Sequence, residues 1–251
     1  MKFNEPAEPL FDIPLVVSSE HGKSLYFKGE QLQSQMRSGR PGELNIDYTQ
    51  AMMGFLLFNS TPIHIAMIGL GGGSMLKFCY HHLPQTQLTV IEINPHVIAL
   101  KEEFEVPDDP ARIALICGDG AEFVRNAAIE QDVLLVDGFD GSGQALSLCS
   151  QAFYNDCYQA LAHKGLMVAN MNPEHPDHDV FMGRIRLAFD NHVLEISSAE
   201  KTNYIVFACK GHAISVDELR KSQWQKNVDE ATRAQLGFEF KRIAREMKEA
   251  D

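Results

Sequence analysis

The stretch "IAMIGLGGGSMLKF", Ile65 to Phe78, decides the fold of this chain. An apolar run ends in a glycine-rich turn, and a helix-like segment begins directly after the turn. Such a turn lets the backbone approach a ligand closely and places a helix N-terminus beside it. The glycines of the turn are Gly69, Gly71, Gly72 and Gly73. Because Ser74 stands where a dinucleotide motif has its third glycine, the turn alone is a weak signal.

Apolar segments alternate with helix-like segments on both sides of this turn. The predicted strands are His64 to Ile68, Leu88 to Ile93, Arg112 to Cys117, Val133 to Val136, Gly165 to Asn170, His192 to Ile196 and Tyr204 to Cys209. This alternation predicts an α/β fold with a seven-stranded, mostly parallel, Rossmann-like sheet. Only "SSAEKTN" separates the last two strands, which is too short for a helical crossover, so we expect an antiparallel pair at one end of the sheet.

The flanking segments predict two appendages. Short β-like pieces, "IPLVVSS" and "KSLYFKG", indicate a small hairpin unit at the front, followed by the polar connector "RSGRPGELN". A charged, periodic segment after Ser215 predicts a helical tail that covers a face of the main domain. The predicted division is an N-terminal β unit with its connector over 1–46, the Rossmann-like domain over 47–212 and the helical tail over 213–251.

Composition excludes some classes of function. The 251 residues carry a formal charge of −12, which disfavours nucleic acid and anionic membranes as partners. The five cysteines form no C-x-x-C pair and are expected to be reduced. No apolar run approaches the roughly 20 residues of a membrane helix, and the first residues do not resemble a signal peptide. We therefore expect a cytoplasmic protein.

Acidic residues follow the predicted strands at their carboxyl ends. Glu92, in "VIEIN", lies about twenty residues beyond the turn, where an acid commonly holds ribose hydroxyls. Asp119, in "CGDGAEF", can accept a hydrogen bond from an exocyclic amine such as that of adenine, or it can cap the following helix. Together with the glycine turn, these acids describe an adenosine site in the crevice of an open sheet.

The segment "VLLVDGFDGSGQA", Val133 to Ala145, places Asp137 and Asp140 after another strand. Turns rich in Asp and Gly are common at strand ends, so the two acids alone could be structural. The continuation "DGFDGSGQALSLCSQAFY" resembles the spermidine synthase family, whose pattern is D-S-x-D-P-x-G-P-A-x-x-L-[FY]-[ST]-x-x-F-Y. The matching residues are Asp137, Asp140, Gly143, Ala145, Leu148, Ser150, Phe153 and Tyr154. This family comprises polyamine aminopropyltransferases with the class I methyltransferase fold.

The resemblance implies roles for individual residues. Glu92 would bind the ribose, Asp119 and Gly120 the adenine, and the turn from Gly69 to Gly73 the sulfonium region of the donor. Asp137 would be the general base, and Asp140 would position the amine. In "YTQAMM", which resembles the family's Tyr-rich motif, Tyr48 would face the acceptor amine and Gln50 is the other candidate, and Gln31 or Gln33 would contact the nucleoside. A homodimer is also expected from the resemblance.

This chemistry needs an acid near the amine. An alkylamine with a pKa near ~10.4 is protonated at pH 7, and removing its proton costs about 4.6 kcal/mol. A carboxylate beside an apolar strand and near a second acid should have a raised pKa, which suits a base. The sulfonium supplies the driving force, so neither a metal nor a covalent enzyme intermediate is expected. The loop "NPEHPDHD" contains His175 and His178, but we interpret it as a solvated loop rather than a metal site.

Two departures from the family pattern leave the donor and the acceptor open. Gly72 stands where the family has an Asp that holds the aminopropyl ammonium, and "SSAEKTNYIVF" replaces its Pro-rich loop. We expect an enzyme that transfers an aminopropyl group from decarboxylated S-adenosylmethionine to a small amine such as putrescine, with methylthioadenosine as product and no tightly bound cofactor. The alternatives are N-methylation by intact S-adenosylmethionine, which would give S-adenosylhomocysteine, and a non-catalytic nucleoside-binding protein.

Overall fold

The computed structural model describes residues 11–27, 32–140, 143–212, 214–215 and 222–250. The strands are β1 Leu15–Ser19, β2 Gly22–Tyr26, β3 Leu32–Arg37, β4 His64–Ile68, β5 Gln87–Glu92, β6 Ile113–Cys117, β7 Gln131–Val136, β8 Phe139–Asp140, β9 Gly143–Gln144, β10 Leu161–Met171, β11 Val193–Ser197 and β12 Tyr204–Cys209. The α-helices are α1 Asp47–Met52, α2 Ser74–His82, α3 Pro95–Ala99, α4 Gly120–Arg125, α5 Gln151–Ala160, α6 His178–Ala188 and α7 Glu230–Ala250. Shorter 3₁₀ helices span Met53–Leu57, Leu146–Cys149 and Trp224–Lys226.

A seven-stranded sheet with the order β11-β12-β10-β7-β4-β5-β6 forms the centre of the molecule. Strands β10, β7, β4, β5 and β6 are parallel, whereas β12 runs antiparallel to both β10 and β11. The predicted mostly parallel sheet and the antiparallel pair at one end are therefore confirmed. Strand β10 is longer than predicted because it starts at Leu161 and pairs irregularly with β7 before Leu166.

Apolar side chains cover both faces of this sheet, as expected for parallel strands that lie between helices. In β4, Ile65 and Met67 join one core cluster, and Ala66 and Ile68 join the other. The first cluster is completed by α1, α2 and α7, and the second by α5 and α6. The alternation along β4 shows that successive side chains point to opposite faces of a sheet that is buried on both sides.

The N-terminal unit is a three-stranded antiparallel sheet with the order β1-β2-β3, so the predicted hairpin gains a third strand. Strand β3 includes Arg37, which the sequence pattern assigned to the connector. Ser34 and Met36 of β3 are buried at alternate positions. Met36 forms a small core with Leu25 and Phe104, and this core anchors the N-terminal sheet beside the glycine turn.

The C-terminal tail is helical from Glu230, and its apolar stripe joins the first core cluster. The buried side chains of this stripe are Leu236, Phe240, Ile243 and Met247. The predicted helical tail therefore packs on the main sheet, while residues 216–221 lie outside the described part of the chain. The division at 46/47 and 212/213 stays a prediction. Across the residues that the structure describes, none of the helices has the length and apolar character that would allow it to cross a bilayer.

Candidate active site

A cavity of about 1060 Å³ opens at the carboxyl ends of the parallel strands. Its wall contains one residue at or just beyond the carboxyl end of each of the five parallel strands, namely Gly69, Glu92, Asp119, Asp137 and Asn170. The N-terminal sheet adds Leu25 and Gln33, and the turn between β11 and β12 adds Glu200, Thr202 and Asn203. This position is the one at which open α/β sheets bind ligands, and the volume is at the upper end of the range for small-molecule sites.

Gly69 is required at the end of β4 because the chain passes very close to Asp137. Its φ is +97°, and a Cβ at this position would lie 2.3 Å from the backbone oxygen of Asp137. The amide of Asp137 donates to the carbonyl of Ile68 at 2.9 Å. The glycine turn and the predicted base are therefore joined through the backbone, and any side chain at position 69 would separate them.

The glycines of the turn divide into two pairs. Gly69 and Gly71 line the cavity. A Cβ on Gly72 would point at Ser34 and Phe104, and a Cβ on Gly73, which has a φ of +70°, would point at Val106. The turn thus exposes its first two glycines to a ligand, while the other two permit close packing against the N-terminal sheet and the segment that follows α3.

Glu92 is the last residue of β5 and is 8% exposed. Its Oε2 accepts a hydrogen bond from the amide of Leu70 at 2.9 Å, and its Oε1 accepts one from the amide of Asn94 at 2.8 Å. Burial raises the pKa of this carboxyl, and these backbone donors act in the opposite direction. The carboxylate is therefore held rigidly in the cavity wall, and its remaining lone pairs can accept from hydroxyl groups.

Asp119 caps α4, since its Oδ1 accepts from the amide of Ala121 at 2.7 Å. The prediction that Asp119 caps the following helix is thus confirmed, and its side chain also lines the cavity. The two roles are compatible because a carboxylate has a second oxygen that can accept a further hydrogen bond. Gly120 lies beside it in the cavity wall, where a Cβ would approach Ile68 Cγ2 to 2.5 Å.

Asp137 directly follows β7, and its carboxylate accepts two side-chain hydrogen bonds. Tyr48 Oη donates to Oδ2 at 3.1 Å, and Asn170 Nδ2 donates to Oδ1 at 2.9 Å. Burial raises the pKa of Asp137, whereas the two donors lower it. A carboxylate with a raised pKa that lines a substrate-sized cavity has the chemistry of a general base.

Tyr48 belongs to α1. Burial and the charge of Asp137 raise the pKa of its hydroxyl well above the ordinary value, so the hydroxyl is protonated at neutral pH and can donate a hydrogen bond. Gln50, the alternative in this motif, donates to the carbonyl of Leu44 at 2.9 Å. Gln33 lines the cavity, and Gln31 lies outside the described residues. Asp140 lies in the short strand β8, and its side chain is outside the described part of the structure.

Three amide side chains near the base did not emerge from the sequence. Asn170 bonds Asp137, Asn203 bonds Asn170, and the buried Gln144 donates to the backbone carbonyl of Asn170 at 3.2 Å and accepts from the amide of Asn172 at 2.9 Å. Asn170 could have been found by the reasoning that identified Glu92 and Asp119, since it stands at the carboxyl end of a predicted parallel strand.

His178, which follows the loop after β10, has a structural role. His178 Nε2 lies 3.0 Å from Glu195 Oε1, and its Nδ1 lies 3.2 Å from the carbonyl of Asn172. Arg186 also bonds Glu195, so this group ties the loop to β11. In the part of the chain that the structure describes, no three His, Cys, Asp or Glu side chains are grouped so that they could hold a metal ion. Glu174, from the same loop, lines the cavity.

The downstream half of the Asp137 motif builds α5. Ser150 caps this helix by accepting from the amide of Phe153 at 3.0 Å. Leu148, Phe153 and Tyr154 are buried in the second core cluster. A Cβ on Gly138 would lie 2.1 Å from Leu148 Cδ1, so the chain after the base packs tightly on the 3₁₀ helix that precedes α5. These motif residues therefore support the site from beneath.

Comparison with known proteins places the chain in a family. The model of the spermine/spermidine synthase domain matches residues 46–183. A polyamine aminopropyltransferase from Neisseria meningitidis serogroup A is 36% identical over 239 residues, which cover 94% of this chain and 89% of the relative.

Two solved structures have the same fold. A probable spermidine synthase from Corynebacterium glutamicum superposes with a TM-score of 0.71 and 18% identity, covering 94% of each chain. A spermidine synthase in complex with the transition state analogue AdoDATO superposes with a TM-score of 0.67 and 20% identity, covering 90% of this chain and 86% of that one. With a domain match that spans more than half of its length and a full-length relative at 36% identity, the chain belongs to the spermine/spermidine synthase family.

Proposed function

We propose that the protein is a polyamine aminopropyltransferase that moves the aminopropyl group of decarboxylated S-adenosylmethionine to a small primary amine such as putrescine. The observation that carries this proposal is the half-buried Asp137, which Tyr48 and Asn170 hold in the wall of a cavity shared with the glycine turn and Glu92. The polyamine aminopropyltransferase relative at 36% identity supports it.

In the proposed mechanism, Asp137 first attracts the ammonium form of the acceptor and then takes one of its protons. Freeing the amine at pH 7 costs about 4.6 kcal/mol for an amine with a pKa near ~10.4, so a positioned base lowers the barrier. The amine lone pair attacks the carbon next to the sulfonium, a new C–N bond forms, and the C–S bond breaks. Its electron pair neutralises the sulfur, which leaves as the thioether methylthioadenosine.

The nucleoside would occupy the part of the cavity between β4, β5 and β6. We assign Glu92 to the ribose hydroxyls, Asp119 and Gly120 to the adenine, and Gly69 and Gly71 to the sulfonium region. Gln33 of the N-terminal sheet would cover the nucleoside, and Tyr48 would face the acceptor amine. Asp140 remains assigned to positioning the amine.

N-methylation by intact S-adenosylmethionine is the second candidate, because Gly72 carries no carboxylate. A carboxylate there would attract the ammonium of the decarboxylated donor and repel the carboxylate of the intact one. A third candidate, a non-catalytic nucleoside-binding protein, is motivated by the replaced Pro-rich loop. A homodimer stays part of the proposal by family resemblance, and light scattering coupled to gel filtration tests it.

One experiment separates these candidates. The purified protein is incubated with putrescine and either the decarboxylated or the intact donor, and the products are identified by mass spectrometry. We expect spermidine and methylthioadenosine from the decarboxylated donor only. Methylated putrescine from the intact donor would contradict the proposal in favour of the methyltransferase. If methylthioadenosine raises the melting temperature but no amine in a panel reacts, the non-catalytic candidate is favoured.

A further inference from the structure

Asn170 is a buried polar side chain beside the proposed base, and both ends of its amide form hydrogen bonds to other side chains. It stands one residue before the end of β10 and is 2% exposed. Its Nδ2 donates to Asp137 Oδ1 at 2.9 Å, and its Oδ1 accepts from Asn203 Nδ2 at 2.9 Å. Burying an amide at this position is costly unless both of its ends are paired, and here both are.

Asn203 brings the turn between β11 and β12 into this network. The residue directly precedes β12, whose first residue Tyr204 pairs with Met171 of β10. Its backbone carbonyl accepts from the amide of Ser198 at 2.7 Å, which closes the turn. The turn is the segment that stands in place of the family's Pro-rich loop, and Thr202 and Asn203 line the cavity.

The direction of the hydrogen bonds follows from the chemistry of the amides. Thr202 Oγ1 donates to Asn203 Oδ1 at 2.9 Å, so the NH₂ end of Asn203 faces Asn170. Asn170 must therefore accept with its carbonyl oxygen, and its own NH₂ group then donates to Asp137. If Asn170 were reversed, two NH₂ groups would meet on one side, and a carbonyl would meet a carboxylate on the other.

We propose that Asn170 is a positioning residue that holds the Asp137 carboxylate in one orientation, and that Asn203 fixes which end of Asn170 faces the base. Tyr48 donates to the other oxygen of Asp137, Oδ2, at 3.1 Å. The two donors leave the carboxylate one orientation in which to receive the amine proton. The turn from Ser198 to Asn203 thereby becomes part of the catalytic apparatus through the side chain of Asn170.

The hydrogen bond from Asn170 also lowers the pKa of Asp137, which burial raises. Losing the Asn170 donor removes an interaction that favours the ionised carboxylate, so the pKa of Asp137 should rise further. The other titratable side chains in the described cavity wall are Asp12, Tyr48, Glu92, Asp119, Glu174 and Glu200. Tyr48 is the member of this group for which the structure records a hydrogen bond to Asp137, and it is unchanged in the variants below.

Three variants test the proposal. Asn170→Leu removes the donor while preserving the side-chain volume. Asn203→Asp presents a carboxylate to Asn170, which turns the amide so that its carbonyl faces Asp137. Asn203→Leu leaves Asn170 without its orienting donor and lies in a turn, so it serves if the core substitution fails to fold. Asn155→Asp is the matched control, because it adds the same charge at an exposed position of α5.

The first readout needs no turnover. The ¹³Cγ resonance of Asp137 is titrated in protein labelled at aspartate and is assigned by its absence in Asp137→Asn. We expect the midpoint to rise by about one pH unit in Asn170→Leu and Asn203→Asp, since a hydrogen bond to a carboxylate favours its ionised form and is lost in both variants. The wild type and Asn155→Asp should share one midpoint. Equal midpoints in all of the variants would overturn the proposal.

The second readout is the pH dependence of kcat/KM with putrescine and decarboxylated S-adenosylmethionine, which rests on the proposed function. The acidic limb should move upward by the same shift, while affinity for methylthioadenosine stays within twofold. If the NMR midpoint moves but no amine is alkylated, the positioning role stands and the proposed function fails. If turnover is normal and neither the limb nor the midpoint moves, the positioning role fails and the proposed function stands.

Discussion

At Gly72 the glycine turn packs directly against Ser34 and Phe104, which leaves no space for a side chain. A Cβ at this position would lie 2.6 Å from Ser34 Oγ and 2.8 Å from Phe104 Cδ1. Phe104 is fully buried against Leu25 and Met36, so its ring has little freedom to move. The missing family carboxylate is therefore accompanied by local packing that leaves no room for it. Donor selection must rely on other groups of the cavity wall.

We predict that Gly72→Asp will not restore a family-like donor site but will destabilise the fold. Inserting a side chain into a closely packed position typically costs about 1–3 kcal/mol. Chemical denaturation measures the change in the free energy of unfolding. Gly183→Asp is the matched control, because a Cβ at Gly183 on α6 meets no atom within 4 Å. Equal stability of the two variants would contradict this account of position 72.

Asp137→Asn is predicted to separate binding from chemistry. The substitution removes the proton acceptor, and a positioned base contributes at least about 10² to turnover. Affinity for methylthioadenosine should be nearly unchanged, since the side chains assigned to the nucleoside are elsewhere in the cavity. Steady-state kinetics and calorimetric titration measure the two effects. Asp156→Asn, which removes a carboxylate bonded to Arg125 at the surface, controls for loss of charge. Wild-type turnover in the Asp137 variant would exclude this residue as the base.

Tyr48→Phe tests the other donor to the base. Removing the hydroxyl takes away one of the interactions that lower the pKa of Asp137, so burial is opposed less and the pKa rises. A base with a higher pKa is protonated over more of the acidic range, and the acidic limb of kcat/KM should move to higher pH by about one unit. An unchanged limb at reduced kcat would indicate that Tyr48 acts on the substrate alone.

At the scale of elements, α5 depends on a cap that the family motif supplies. Ser150→Ala removes the acceptor for the amide of Phe153, and the loss of such a cap costs about 1 kcal/mol. For a chain of this size the melting temperature should fall by about 2–4 °C. Ser150→Asp keeps a capping oxygen and should melt close to the wild type. If both variants lose the same stability, the hydroxyl acts through a contact other than the cap.

Strands with strong apolar character were predictable, and polar ones were not. The bounds of β4 and β12 agree with the sequence prediction because their side chains are apolar on both faces. Strand β3, "LQSQMR", was missed because it buries only Ser34 and Met36, and a serine gives no apolar signal. The pairing of β8 with β9 also escaped prediction, since two-residue strands carry no periodicity.

The site was predictable where an acid follows a strand, and less so where an amide does. Glu92, Asp119 and Asp137 were identified from their place at strand ends, and the structure brings all three to one cavity. Asn170 has the same place, so its position alone could have identified it, but an amide carries no charge that marks it as a site residue. Asn203 lies in the segment that replaces the family's Pro-rich loop, more than 60 residues beyond Asp137, and the pairing of β10 with β12 brings it to the base.

At the scale of the whole molecule, the acidic groups of the cavity wall lower the stability of the folded state at neutral pH. Two carboxylates in its wall, Asp137 and Glu92, have pKa values raised by burial. Keeping them ionised at neutral pH opposes folding, and the hydrogen bonds from Tyr48, Asn170, Leu70 and Asn94 offset only part of this cost. The substrate that neutralises Asp137 should therefore also stabilise the fold.

Asp137→Asn is predicted to melt higher than the wild type at pH 8 and to lose this advantage as the pH falls. The folded-state pKa of Asp137 lies above its ordinary value of 3.8, so its favourable contribution is complete below that value and is lost as the pH rises through the folded-state pKa. The replacement amide does not ionise, and it can accept from Asn170 and donate to the oxygen of Tyr48. Thermal melts at pH 4 to 8 measure the difference, and Glu92 titrates equally in both proteins. A difference in melting temperature that stays constant with pH would show that the ionisation of Asp137 is not a cost to the fold.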